Sequence, residues 1–190
     1  HEEKYKKYLN EFDLISVRDE QGVILIKNLI NKQAPLLLDP VLFHDSDYWD
    51  QYSKKLKIKK KFDLLYVNDS KLIDKIPKDK NIISIGSFNF SSIKNLKFSI
   101  KNNDGPSEFI AYIKNADNIY TTSYHGVIFC LIYNKPFYVF LSGKEGKDTR
   151  IKTLLNLFGL TNRMINTKDL INQNNNDKIN FDKFNKTIEN

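Results

Sequence analysis

Cysteine is nearly missing from this 190-residue chain: Cys130 stands alone, beside a single methionine and a single tryptophan, and arginine is scarce. A lone thiol excludes an intrachain disulfide, as suits a reducing compartment. No run approaches the ~20 apolar residues of a membrane-spanning helix. The opening HEEKYKKYLN has neither the apolar stretch nor the cleavage site of a secretory signal. A cytoplasmic location is therefore expected, or a peripheral one at the inner face of the membrane. The chain opens on His1 without an initiator methionine, so a piece of a longer polypeptide is expected. His1, His44 and His125 lie far apart, and none carries a second His or a Cys at ligand spacing, so no metal site and no cofactor are expected. The GKEGK of Gly143 to Lys147 lacks the spacing and the following Ser or Thr of a phosphate-binding loop. No zinc-finger, helix-turn-helix or RNP-like pattern is present, which argues against nucleic acid as a partner.

What is there is ordinary for a globular chain. Hydrophobic residues make up 41%, and 13 Phe with 10 Tyr supply the bulk for a real core. A chain of this size buries roughly two-thirds of its unfolded surface, enough for one core or for one domain and a piece of another. The formal charge of +7 has two readings, an anionic partner or a solvated lysine-rich surface. Its densest part, Lys54 to Lys61, reads as an exposed helix or linker.

Strand-like and helix-like segments alternate. DLISV (13–17) and PLLLDP (35–40) read as strands flanking a helix on Val23, Ile26, Leu29 and Ile30. DLLYV, NIISIG and LKFSI read as three more strands, with Asn68, Asp69 and Ser70 as caps of a helix after the first of them. The stretch NDGPSEFIAYIKNA has Asp104 as a cap, Pro106 in the first turn and Glu108 near the positive helix end. Strand NIYTT, helix GVIFCLIYN, strand FYVFL and helix DTRIKTLLNLF follow. The Asn-rich tail is expected to end in a short amphipathic helix that docks on this domain or on another.

These strands are continuous apolar runs, as expected of a parallel sheet covered by helices on both faces. In such sheets ligands sit beyond the carboxyl ends of the strands. His125 follows one such strand and precedes a helix expected to begin near Gly126. Its ring and the free N–H groups of that helix are expected to look into one crevice that favours an anion. The alternative for His125 is a turn residue bonded to a neighbouring carbonyl. Ser123 reads as a ligand contact or a helix cap, and Tyr124 as a contact or a packed aromatic. Lys144 and Lys147 belong to a lid over an anionic ligand or to a surface loop.

Taken together, FDLISVRDEQGVILIKNL, PLLLDPVLF, GPSEFIAYIKNADNIYTTSYHGVIFCLIYNKPFYVF and RIKTLLNLFGLTNRMI resemble the polysaccharide pyruvyl transferase family. The resemblance implies an α/β fold of two Rossmann-like domains facing a cleft, a GT-B-like architecture. Residues 1–52 would be the closing elements of the first domain and residues 53–190 the second, with the 190 residues inactive alone. It implies transfer of the enolpyruvyl carbons of phosphoenolpyruvate to a sugar or lipid-linked saccharide acceptor as a pyruvate ketal. Within that scheme His125 is the candidate general acid or phosphate ligand, since imidazole titrates near neutrality. Arg18 would bring a planar fork suited to carboxylate or phosphate, unless it pairs with Asp19 or Glu20 instead. Ser123, Tyr124, Gly126, Arg150 and Lys144 complete the candidate binding set. Some branches of the family carry an arginine where this chain has Ser123, so the donor's charge would fall to Arg150 or a loop lysine. A glycosyltransferase using a nucleotide-sugar donor and a non-enzymatic module binding anionic polymers or membrane are the rival readings.

Overall fold

The apolar runs between Phe62 and Leu141 pair side by side into one sheet. A computed structural model describes residues 1–58, 60–76, 81–85, 98–101, 104–144, 146, 148–166 and 179–188. Its strands are β1 (Asp63–Tyr66), β2 (Ile82–Ile85), β3 (Phe98–Lys101), β4 (Ile119–Thr121), β5 (Phe137–Leu141) and β6 (Met164–Asn166). They lie in the order β3-β2-β1-β4-β5-β6, and every neighbouring pair is parallel. Parallel strands need crossovers, and the helices supply them: α4 (Pro106–Asn115) precedes β4, α5 (Tyr124–Ile132) links β4 to β5, and α6 (Thr149–Phe158) follows β5. The strand order reverses between β1 and β4, which makes their carboxyl ends the expected place for a ligand.

Burial explains the runs. Leu64, Ile119, Phe137 and Val139 are fully covered and share one core with α4, α5 and α6. Leu65, Tyr120, Tyr138 and Phe140 face the other way, onto Leu72, Ile73 and Ile76 around the 3-10 turn Ser70–Lys75. A strand buried on both faces has no reason to alternate polar and apolar residues. The short helix α7 (Asp182–Ile188) docks on this same domain, its buried Phe184 ring 5.0 Å from that of Phe158.

Five strands lie where their runs predict them, and several other expectations are corrected. DLISV and PLLLDP are not sheet strands. Val17 and Leu36 form a single parallel bridge, and an isolated pair with no third strand is marginal. Asn68 to Ser70 lead into a 3-10 turn where an α-helix is expected. Gly105, not Asp104, caps α4, where Glu108 accepts from the Gly105 N–H at 3.1 Å and Asp104 accepts from the Tyr112 hydroxyl at 2.7 Å. The described part of Lys54 to Lys61 is irregular, which favours the linker reading over the helix. Elements that went unforeseen include α1 (Glu2–Asn10), which buries no residue, the short helix α3 (Ser46–Asp50) and the three-residue β6. The Asn-rich stretch 167–178 lies outside the described residues.

Candidate active site

The β4–α5 junction is built by one threonine, one serine and one glycine. Thr121 is fully buried, and its hydroxyl donates to the Tyr66 carbonyl at 2.9 Å, tying β4 to β1 at the point where the strand order reverses. The same oxygen accepts from the Ser123 N–H at 3.0 Å. Ser123 in turn caps α5, its side chain accepting from the Gly126 N–H at 3.2 Å. A Cβ at Gly126 would lie 2.6 Å from the Thr121 hydroxyl oxygen, so only glycine lets the helix sit this close to the strand. The helix therefore starts at Tyr124, two residues earlier than the sequence suggests, and His125 occupies its first turn.

That shift decides where the imidazole goes. His125 does not line the main cleft, contrary to expectation. Its side chain is 51% exposed, with Nε2 3.8 Å from Oδ2 of Asp39. Asp39 is buried, at 2% exposure, and also pairs with the Arg18 guanidinium. Its other oxygen accepts from the Val41 N–H at 3.1 Å and caps the 3-10 turn Pro40–Phe43. Asp39 is thus a fixed negative post between Arg18 and His125. The pairing also corrects the expected partners of Arg18, since neither Asp19 nor Glu20 takes it: Asp19 caps α2 (Glu20–Ile30) by accepting from Gly22 at 2.8 Å. Gly22 packs so closely on Val17 that a Cβ would meet the Val17 side chain at 2.9 Å, which seats α2 against the segment carrying Arg18.

Tyr124 gathers the positive charge. It is buried at 8% exposure, and the guanidinium carbons of Arg18 and Arg150 lie 5.9 and 5.2 Å from its ring centroid. Both fall within cation–π range. These are two of the three arginines in the whole chain. Burial, and then the charge of Asp39, push the Tyr124 hydroxyl up to about 12, so it stays a neutral donor at physiological pH.

The main cleft, of about 1440 Å³, opens beside this cluster between α2 and the carboxyl ends of β1, β4 and β5. Asp19, Ile24, Thr122, Ser142, Lys144 and Arg150 are among its walls. Arg18 and Tyr124 line a smaller hollow of about 350 Å³ with Leu36, Leu37 and Leu157. Lys144 is held by a loop that Asp148 organises: this buried carboxylate accepts from the Ser142 and Gly143 N–H groups at 3.0 Å each. Lys147 lies outside the described residues. Among the described residues no three His, Cys, Asp or Glu side chains cluster to hold a metal, and no helix is long and apolar enough to cross a membrane.

The family model for polysaccharide pyruvyl transferases matches residues 1–143. The chain belongs to this family. The matched span holds Arg18, Asp39 and the Ser123–Gly126 block, and stops just short of Lys144 and Arg150. No curated protein matches the chain. Within this pyruvyl transferase family member, the structure brings Arg18, Tyr124, His125 and Arg150 together, while Ser123 and Gly126 act on the backbone that carries them. Lys144 stands apart on the cleft wall. Asp39 was missed by sequence reasoning, and its signal was modest: an Asp-Pro pair closing an apolar run, 21 residues from the arginine it binds.

Proposed function

We propose that the protein transfers the enolpyruvyl group of phosphoenolpyruvate to two hydroxyls of a sugar in a cell-surface polysaccharide or its precursor, as a pyruvate ketal. What carries the reading is the gathering of Arg18, Arg150 and His125 around Tyr124 at the point where the strand order reverses. A donor with both a phosphate and a carboxylate needs two cationic forks, and arginine meets each with paired N–H donors. Arg18 keeps most of its five N–H donors outside its bond to Asp39.

The chemistry then divides among these residues. Protonation of the donor's methylene carbon turns it into a methyl group and leaves cationic character on the adjacent carbon. His125 in its protonated form delivers that proton, its Nε2 lying 3.8 Å from Oδ2 of Asp39. One sugar hydroxyl adds to the cationic carbon, and the second displaces phosphate to close the ketal. Of the two hydroxyl protons, one replaces that given by His125 and the other leaves on the phosphate. Arg150 and Arg18 hold the phosphate and carboxylate through these steps. Residues 1–52 are read as closing elements of a first Rossmann-like domain in a GT-B-like pair.

Thermal stability in the presence of ligands tests the donor. A ligand at about 100 times its Kd stabilises the fold by ~2.7 kcal/mol, which raises the Tm by roughly 5–11 °C for a chain of this size. Phosphoenolpyruvate is expected to give such a shift, reduced in His125→Ala. A shift with nucleotide sugars and none with phosphoenolpyruvate would overturn the reading in favour of a glycosyltransferase.

A further inference from the structure

The turn capped by Asp39, the carboxylate that faces His125, leads into a set of aromatic rings the donor chemistry does not use. His44 and Tyr48 stack with centroids 3.6 Å apart and planes 14° from parallel. Tyr52 follows Tyr48 at 5.5 Å, their hydroxyls 3.4 Å apart, and Trp49 lies edge-on to Tyr48 at 5.4 Å. Phe43 is 72% exposed and Tyr52 50%.

The rings are held, not loose. Asp45 caps the short helix α3 (Ser46–Asp50) by accepting from the Tyr48 N–H at 2.9 Å. Trp49 donates to the Val41 carbonyl at 3.3 Å and wedges against Phe129 of α5 at 5.1 Å. Asp50 accepts from Lys114 at 2.6 Å and from the Tyr133 hydroxyl at 3.0 Å, pinning the end of the helix to α4 and α5. Side chains already ordered lose little freedom when a ligand arrives.

Their position relates them to the site. Phe129 lies four residues beyond His125, just over one helical turn or ~6 Å along α5. The 3-10 turn that begins right after Asp39 carries Phe43 at its end. The charge narrows the ligand. In a chain of net charge +7, the segment 43–52 holds Asp45, Asp47 and Asp50 and no lysine or arginine. With Asp50 paired to Lys114, the exposed Asp45 and Asp47 still disfavour an anionic lipid, nucleic acid or acidic glycan here. A neutral saccharide fits both features: its C–H faces carry partial positive charge and pack on the negative faces of aromatic rings, while its hydroxyls donate to the Asp47 carboxylate and to tyrosine oxygens.

We propose that Phe43, His44, Tyr48 and Tyr52 form a docking platform for neutral sugar units of the acceptor chain, carried by the turn that Asp39 caps and by α3, which packs on α5 through Trp49. The platform rests on the reading that the acceptor is a saccharide and does not depend on which donor is used.

Trp49 reports on it directly, being the only tryptophan in the chain and packed beneath the rings. The chain is titrated with chitotetraose, maltotetraose and a β-linked galactotetraose, with tetragalacturonate as the anionic comparison, while Trp49 emission is followed. A saturable change with at least one neutral probe is expected, with affinity about tenfold weaker in Tyr52→Ala and in Phe43→Ala. Both rings are largely exposed, so an unchanged melting temperature in each variant shows that the fold is intact. A silent Trp49 with every neutral probe, equal affinity in both variants, or tighter binding of tetragalacturonate would each overturn the proposal. The phosphoenolpyruvate-induced thermal shift, measured on the same variants, should stay as in the parent chain. Loss of that shift in the parent would count against the donor and leave the Trp49 result standing.

Discussion

Replacing Gly126 by alanine sets two effects of opposite sign against each other. Position 126 lies inside α5, where alanine is favoured over glycine by about 0.5–1 kcal/mol. Propensity alone therefore predicts a more stable protein. The close approach predicts the reverse, because the new Cβ would lie 2.6 Å from the Thr121 hydroxyl oxygen and 3.3 Å from the Ser123 Cβ. Thr121 is fully buried and bonded to both the Tyr66 carbonyl and the Ser123 N–H, so it cannot swing aside freely. Overpacking of this kind costs about 1–3 kcal/mol, and loosening two hydrogen bonds adds about 1 kcal/mol each. After the propensity gain, a net loss of about 2–4 kcal/mol remains, or about 4–16 °C in Tm. Thermal unfolding of Gly126→Ala, Thr121→Ala and the double variant measures it. Removing the Thr121 hydroxyl should relieve the alanine, leaving a coupling of about 2 kcal/mol between the two changes. A Gly126→Ala chain as stable as its parent, or one whose loss persists unchanged with Thr121→Ala, would refute the close-packing account.

Asp39→Asn keeps the cap on Val41 and removes the charge that faces Arg18 and His125. Because the Arg18 side chain is 40% exposed, water compensates in part, and a loss of ~1–2 kcal/mol in urea unfolding is expected. Lys114, and to a smaller extent the Tyr133 hydroxyl, hold the Asp50 carboxyl below its ordinary value. That stability is present above the unfolded carboxylate value near ~3.9 and is lost as pH falls through the lower folded one. The advantage of the parent over Asp50→Asn in urea midpoint should therefore shrink from about pH 6 to about pH 3, and a constant difference would show that the pair contributes nothing. Burial pushes the Cys130 thiol far up, so a thiol reagent should label it only after unfolding, and rapid labelling of the native chain would contradict the packing around α5.

The sheet was legible because each central strand is a short apolar run between polar breaks, and burial on both faces produces that pattern. The same logic misled at DLISV and PLLLDP, which look alike in composition but pair only through Val17 and Leu36. A run of apolar residues announces readiness to pair, and the partner is a property of the fold. The β4–α5 junction was likewise readable as a strand-to-helix turn, here beside the cleft, whereas the direction of His125 was not. It depends on the helix starting at the Ser123 cap, and so on the hydroxyl chain from Thr121. Asp39 and the aromatic platform were hidden for a third reason. Ordinary turn and helix residues in sequence, they acquire meaning when Arg18, His125 and Phe129 arrive beside them.

Titration calorimetry with phosphoenolpyruvate tests the central claim most directly, comparing the parent chain with Arg18→Ala, Arg150→Ala and His125→Ala. Saturable binding is predicted in the parent, weakened by each arginine change by about 1.5–3 kcal/mol, the value of one charge-assisted hydrogen-bonding group. Binding of equal strength in all four chains would place the donor elsewhere and contradict the site described around Tyr124.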